Sequence, residues 1–287
     1  MSISKEEIIF KQYRALLFSI SYRMLGSVTE AEDIVQETFL SYFQHDTGAV
    51  KNEKAYLCKM AINLCLDTLK SARKKREVYV GPWLPEPILT PVEQDDPADQ
   101  AIAKESLSFS YLLLMEKLSP VERAVFLLRE VFGFSYREIG EIVTKTEANC
   151  RKIFTRLKEK IGAEVQVTTL NNDKNQTIIS EFIQAFQNGD MEKIMTLVSE
   201  EVVLYSDGGG IVKAAIKPIY SRNHVLSFLT GIAAKAPADL ITKFQNINGQ
   251  LGVVNYINSY PHSVISFQDQ NEQITNIYIN PEKLQWR

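Results

Sequence analysis

Between Thr146 and Lys160 the sequence reads TEANCRKIFTRLKEK. At about 100° per residue, Cys150, Ile153, Phe154, Leu157 and Ile161 form an apolar stripe. The opposite side presents Ala148, Lys152 and Thr155, with Arg151 and Arg156 flanking. These residue types do recognition chemistry. A guanidinium or ammonium donates to guanine O6 and N7 or to phosphate, and an alanine methyl packs on a thymine methyl. Arg156, Lys158 and Lys160 suit phosphate contact, which positions a protein without reading sequence.

A second polar stripe, Asn63, Asp67, Lys70 and Lys74, runs along the stretch 53–76 and ends in the basic run Lys70, Arg73, Lys74, Lys75, Arg76. One charge run alone reads as a solvated face; two on separate helices point toward nucleic acid. The tail offers Tyr205, Asp207, Lys217, Tyr256 and His262 as pocket groups, and an Asp with a His can form an acid–base pair. Asp207-Gly208-Gly209-Gly210 reads more simply as a hairpin turn, with glycines supplying positive φ. His262, directly after Pro261, reads as a loop residue. No catalytic residue is assigned. The spacing of Cys58, Cys65, Cys150, His45, His224 and His262 fits no zinc site, and no metal or cofactor is implied.

These groups need elements to hold them. Ser119-Pro120-Val121-Glu122 and Ser135-Tyr136-Arg137-Glu138 are both capping boxes, the first with proline at the first helical position. The helix from Ser135 is short, sets Tyr136, Ile139, Ile142 and Val143 on one face, and breaks at Thr144-Lys145-Thr146. A third helix starts at Thr146 or Glu147. Short helix, tight turn and basic polar helix make a helix-turn-helix.

Residues 5–76 read as helices throughout. Thr29-Glu30-Ala31-Glu32 boxes the second, which buries Ala31, Ile34, Val35, Phe39 and Tyr42 and turns Asp33, Gln36, Glu37 and Ser41 outward. Asn52 caps the third. From 77 to 100 the composition shifts to proline, which excludes continuous helix. This linker carries Val80, Trp83, Leu84, Ile88 and Leu89, and a Pro-rich segment with a tryptophan docks on something. Helix resumes over Ala101–Lys117. Past the polar stretch 168–176, helices at 178–187 and 191–198 precede β-type runs at 202–206, 211–219, 242–247, 251–257, 264–267 and 273–279. A helix at 223–234 interrupts them. This order spells an α+β domain with a mainly antiparallel sheet.

The chain has 287 residues, room for two or three domains, with 45% hydrophobic and 23% charged residues. A net charge of −3 argues against nonspecific coating of nucleic acid but allows local basic faces. With no signal peptide, no long apolar run and an odd cysteine count, the expectation is a cytoplasmic protein away from membranes.

Taken together, the chain resembles an extracytoplasmic-function sigma factor of bacterial RNA polymerase. The match covers residues 1 to about 162. Ala-Glu-Asp-Ile-Val-Gln-Glu-Thr-Phe at 31–39 is similar to the segment such factors dock on polymerase, and Asn63…Asp67…basic run is similar to the helix that opens and reads the −10 element. The tail resembles a SnoaL-like domain of the NTF2-like fold. A subgroup of sigma factors carries that tail, marked by Trp83-Leu84-Pro85-Glu86-Pro87, Asp207-Gly208-Gly209-Gly210 and Asn280-Pro281-x-Lys283-Leu284.

The resemblance implies a multidomain chain: an all-α region 2 over 1–76, the linker 77–100, an all-α region 4 helix-turn-helix over 101–165, and an α+β SnoaL-like regulatory domain over 173–287. It implies a −35 reader built on Ala148, Asn149, Arg151, Lys152, Thr155 and Arg156. It implies a −10 reader built on Asn63, Asp67, Lys70, Arg73, Lys74 and Arg76. Promoter opening exposes single-stranded bases, which Asn63 can pair while the cations hold the backbone. On residue type alone, Asn63 reads equally well as an interior hydrogen-bonder. Asp33, Gln36 and Glu37 fall on the polymerase face, with the β′ clamp and β flap of core polymerase as partners.

The expected function is promoter-specific initiation, modulated in cis by the tail through the Trp83–Pro87, Asp207–Gly210 and Asn280–Leu284 segments. The alternative is a one-component DNA-binding regulator, or a DNA-tethered enzyme using a pocket of Tyr205, Lys217, Tyr256 and His262.

Overall fold

A computed structural model describes residues 4–45, 50–76, 83–89, 109–161, 172–207, 215 and 217–281. The chain divides into two units, residues 1–78, 94–104 and 111–167, and residues 79–93, 105–110 and 168–287.

In the first unit, α1 (Lys5–Leu25), α2 (Val28–Gln44) and α3 (Glu53–Arg76) pack on one another, burying Leu17, Ile20, Tyr22, Ile34, Val35, Leu57 and Ile62. Gly26 ends α1 in the left-handed region (φ 70°) and donates its N–H to the Tyr22 carbonyl. That turn leaves Ser27 extended, and its Oγ accepts from the Glu30 N–H at 3.3 Å. The cap of α2 is therefore Ser27, and the expected Thr29–Glu32 box is not used. The cap has to be the last non-helical residue, and only Ser27 follows Gly26 before helical backbone starts.

Then come α4 (Phe109–Glu116), α5 (Pro120–Phe126), α6 (Tyr136–Val143) and α7 (Glu147–Ile161). The start expected for α4, at residue 101, lies outside the described residues. Beyond α5 the chain winds into a π-helical turn over Leu127–Val131, a widening that the continuous apolar run did not announce. Both capping boxes form. Ser119 N–H donates to Glu122 Oε2 at 2.9 Å and Ser135 N–H to Glu138 Oε2 at 2.8 Å, while each serine Oγ accepts from its glutamate N–H.

Hydrogen bonds from the serine hydroxyl and backbone hold both carboxyls below their ordinary value. A depressed carboxylate pKa contributes stability that is present above the unfolded value and lost as pH falls through the folded one. Ser135→Ala should cost about 1 kcal/mol at neutral pH, and the gap between variant and parent should narrow below about pH 4.5. Chemical denaturation across pH checks both; a gap that does not vary with pH would contradict it.

In the second unit, α8 (Asn172–Asn188), α9 (Met191–Leu197) and α10 (Arg222–Ala233) accompany β1 (Val198–Ser206), β2 (Ile219–Tyr220), β3 (Ile241–Ile247), β4 (Gln250–Ile257), β5 (Tyr260–Gln270) and β6 (Gln273–Pro281). The six-stranded order is β2-β1-β6-β5-β4-β3, with β1 parallel to β6 and the other pairs antiparallel. Of the strand expected over 211–219, only its end falls in β2; residues 211–214 and 216 lie outside the described set. β5 starts earlier than expected, at Tyr260, so His262 sits in a strand and not in a loop. The register shifts between Asn255 and Tyr256, where Pro261 is paired, and a bulge is where a sheet tolerates proline.

Val202, Leu204, Val253, Phe267, Ile277 and Ile279 join Ile179, Phe182, Ile194, Val225 and Leu226 in one apolar core. The other sheet face carries Asp207, Val254, Val264, Tyr278 and Asn280, all buried.

Candidate nucleic-acid interface

The helix-turn-helix is held from within. Ile139, Ile142 and Val143 of α6 and Cys150, Phe154, Leu157 and Ile161 of α7 are buried. Thr144 adopts the left-handed region at φ 55°, and Lys145 N–H donates to Gly140 O at 2.9 Å. The turn passes so close to α6 that a Cβ on Gly140 would sit 2.7 Å from Lys145 O. Thr146 caps α7, its Oγ1 accepting from Asn149 N–H at 3.2 Å.

On the outside of α7, Ala148, Asn149, Arg151, Lys152, Thr155 and Arg156 are all exposed. Arg151 is already engaged: its Nη2 lies 2.8 Å from Glu147 Oε1, and its guanidinium stands 4.9 Å from the Tyr136 ring centroid. Arg129 stacks on the same ring at 4.7 Å and donates to Phe134 O. Tyr136 thus ties both helices of the motif together. Tyr136 shares the face of Ile139, Ile142 and Val143 but is half-buried and carries two cations.

On α3, Asn63, Asp67 and Lys70 are exposed, and Lys70 Nζ sits 2.7 Å from Asp67 Oδ1. Asn63 is thus not an interior group. Arg73, Lys74 and Arg76 follow in the last turns of the same helix. On α2, Asp33, Gln36 and Glu37 are exposed, and the stripe continues into Leu40, 63% exposed, and Phe43. Leu40 was missed by sequence reading; a leucine on the solvent side at i+3 from Glu37 was its signal.

In the second unit the segment 83–89 crosses the sheet face opposite the helices. Leu84 N–H donates to Asp207 Oδ2 at 2.9 Å, and Asn280 Nδ2 donates to Pro85 O at 2.9 Å. Further along, Ile88 N–H donates to Asn248 Oδ1 at 2.8 Å and the Ile88 carbonyl accepts from Asn248 N–H, while Leu89 bridges Ile247 on the sheet edge. Leu84, Pro85 and Pro87 are buried and Trp83 and Glu86 half-buried. Asn248, a positive-φ residue in the β3–β4 turn, was missed; the Asn-Gly pair between two strands was its signal. Gly208, Gly209, Gly210, Lys283 and Leu284 lie outside the described residues, and Pro281 closes β6.

Of the five pocket groups Asp207 is taken by Leu84, and the other four do not converge. Tyr205 is on β1 and Tyr256 on β4, with β6 and β5 between them, roughly 14 Å away at strand spacing. Tyr205 stacks on Tyr278 at 5.6 Å, and burial raises both phenol pKa values. Tyr256 OH accepts from Gln245 Nε2 at 2.9 Å under the Lys243 ammonium. His262 is half-buried on β5, and Lys217 is exposed ahead of β2. The described residues include no cluster of His, Cys, Asp or Glu able to hold a metal ion, and no helix long and apolar enough to cross a membrane.

Comparison with known proteins decides among the readings. A model of Sigma-70 region 2 matches residues 9–75, and a model of Sigma-70, region 4, matches residues 108–161. The ECF RNA polymerase sigma factor SigW of Bacillus subtilis is 30% identical over 138 residues, 46% of this chain and 73% of that protein. The chain belongs to the ECF RNA polymerase sigma factors. The ECF sigma factor SigJ of Mycobacterium tuberculosis is 29% identical over 246 residues, 85% of this chain and 78% of that protein. A crystal structure of SigJ has a TM-score of 0.77 at 23% identity, covering 96% of this chain and 95% of that one, so the shared fold includes the α+β unit. This sigma factor therefore binds core RNA polymerase and promoter DNA and directs transcription initiation. Region 2 is α1–α3 and region 4 is α4–α7.

Proposed function

We propose that this sigma factor reads a bipartite promoter, with Asn63, Asp67, Lys70, Arg73, Lys74 and Arg76 of α3 at the −10 element and Ala148 to Arg156 of α7 at the −35 element. Asp33, Gln36, Glu37 and Leu40 of α2 meet the β′ clamp of core polymerase, and region 4 meets the β flap. The α+β unit modulates initiation in cis and carries out no catalysis. The observation that carries the reading is two separate helices, α3 and α7, each turning a polar, cation-bearing face to solvent while an apolar face is buried. Within α7, Lys152 and Ala148 suit base edges, and Arg151, preset by Glu147 and Tyr136, reaches a base or phosphate at little entropic cost.

Cis modulation rests on the hold that Asp207, Asn248 and Asn280 have on residues 83–89. That segment belongs to the connection between regions 2 and 4, so a domain that grips it acts on their placement at high effective concentration without a separate protein. The scatter of Tyr205, Lys217, Tyr256 and His262 favours this role over a catalytic one.

Charge reversal tests the polymerase face. Asp33→Lys, with Leu40→Asp as a second variant, should weaken binding to core polymerase by roughly tenfold or more and leave the melting temperature within a degree or two. Fluorescence titration against core polymerase reads it. Unchanged affinity in both variants would remove α2 from the interface.

A further inference from the structure

The base-facing half of α7 is served by a side chain that lies outside it. Arg151 of α7 and Arg129, from the π-helical turn Leu127–Val131, stand 4.9 and 4.7 Å from the ring centroid of Tyr136, the first residue of α6. The ring is held in place. Phe154, buried on α7, meets it in a T-shaped contact at 5.9 Å and itself stacks on Phe126 of α5 at 6.1 Å. Arg129 is anchored in turn, donating to the Phe134 carbonyl at 2.9 Å.

Two contacts hold Arg151, and they differ in kind. Its ion pair with Glu147 spans 2.8 Å, but the two side chains are 61% and 51% exposed, and an exposed pair is screened by salt and gains little. The ring contact combines packing with charge and confines the guanidinium to one face of a half-buried side chain. Glu147 engages Nη2. A guanidinium carries five N–H donors in a rigid fork, so an edge remains for a two-bond contact to guanine O6 and N7.

Such a contact is demanding, because both donors must meet their acceptors near the plane of the base. Arg151 lies in the N-terminal half of α7, the part that meets base edges when a recognition helix enters the major groove. Lys158 is held in a similar way, by Glu130 at 3.0 Å and over the Phe154 ring at 5.4 Å, but it sits near the C-terminal end, where phosphate is the partner. A loose arginine meets phosphate and several base edges alike. One oriented beforehand loses less freedom on binding a single base and tolerates fewer wrong ones.

We propose that Tyr136 is a specificity-determining positioning residue for promoter recognition: from α6, without touching DNA, its ring orients the Arg151 guanidinium to read one guanine of the −35 element. Arg129 and Phe154 brace the ring. This rests on the assignment of α7 as the −35 reader, and Arg151→Ala in the experiment below tests that assignment separately.

The test is reconstituted transcription with the full chain, core polymerase and templates in which each −35 base pair is replaced in turn. Arg151→Ala should abolish preference for guanine at one position, which locates the base. Tyr136→Leu should lower preference at that position by roughly two- to fivefold, the range an exposed cation–π contact supplies. It should leave the other positions as in the parent and add nothing when combined with Arg151→Ala. Tyr136→Phe, which keeps the ring and drops the hydroxyl, should match the parent. If Tyr136→Leu does not fold, Tyr136→fluorophenylalanine variants decide: each added fluorine weakens the pull of the ring face on a cation with little change of shape, and the preference should fall stepwise. Equal loss at every position, additive losses in the double variant, or parent-like preference in Tyr136→Leu or across the fluorinated series would overturn the proposal. So would a loss in Tyr136→Phe, which would make the hydroxyl the active group. If Arg151→Ala itself keeps every preference, the assignment of Arg151 as a base reader fails and the proposal falls with it.

Discussion

Adding one methyl group at Gly140 should cost region 4 roughly 1–3 kcal/mol and remove −35 reading while region 2 keeps its fold. The new Cβ would meet Lys145 O at 2.7 Å and Glu147 N at 3.4 Å, both backbone atoms of the turn between α6 and α7. No flexible side chain is there to move aside. The turn has to shift, and with it the Thr146 cap and the start of α7, where Ala148, Asn149 and Lys152 are placed. A displacement near 1 Å at the base-facing end is enough to break bidentate pairing, each instance of which is worth about 1–3 kcal/mol. Gly140→Ala should therefore lower the thermal midpoint by several degrees and flatten discrimination between −35 variants. An unchanged midpoint with intact discrimination would show that the turn relaxes freely.

The second large effect belongs to Asp207. Its carboxylate accepts from the Leu84 N–H while Leu84 is 2% exposed. Asp207→Ala leaves that N–H buried without its acceptor, at about 1–3 kcal/mol. The segment 83–89 should then detach at its Trp83 end. With Trp286→Phe as background, Trp83 emission should shift to the red, and protease cleavage near 83–89 should accelerate. Asp207→Asn keeps an acceptor oxygen and should behave like the parent. Transcript yield should change in the alanine variant and promoter choice should not. Unaltered emission and yield in Asp207→Ala would remove this contact from the cis mechanism.

Much of this was legible in the chain because local chemistry and tertiary packing agree. Ser119/Glu122 and Ser135/Glu138 are cap signals with one structural meaning, and the Cys150-Phe154-Leu157 stripe leaves a single side of α7 for recognition. The α2 cap was misread because two serine or threonine caps stand close together and only the left-handed Gly26 selects Ser27. β5 was cut short because Pro261 counts against a strand unless a bulge receives it, and a bulge is set by the partner strand. The buried position of Arg123 carries no sequence signal, since its partner Met24 contributes a backbone carbonyl from 99 residues away. The pocket candidates were legible as residue types but not as neighbours, because strand order, with β6 inserted between β1 and β5, is decided by long-range pairing.

Two separate helices should read one promoter together with polymerase. Reconstituted transcription with purified sigma factor, core polymerase and templates carrying paired substitutions in both elements measures this directly. The predicted result is transcript only when core polymerase is present, with α3 variants such as Asn63→Ala losing discrimination at the upstream edge of the melted region and α7 variants such as Lys152→Ala losing it about 25 base pairs further up. Duplex binding of equal strength and selectivity without polymerase, or α3 and α7 variants that alter preference at the same base pairs, would contradict it.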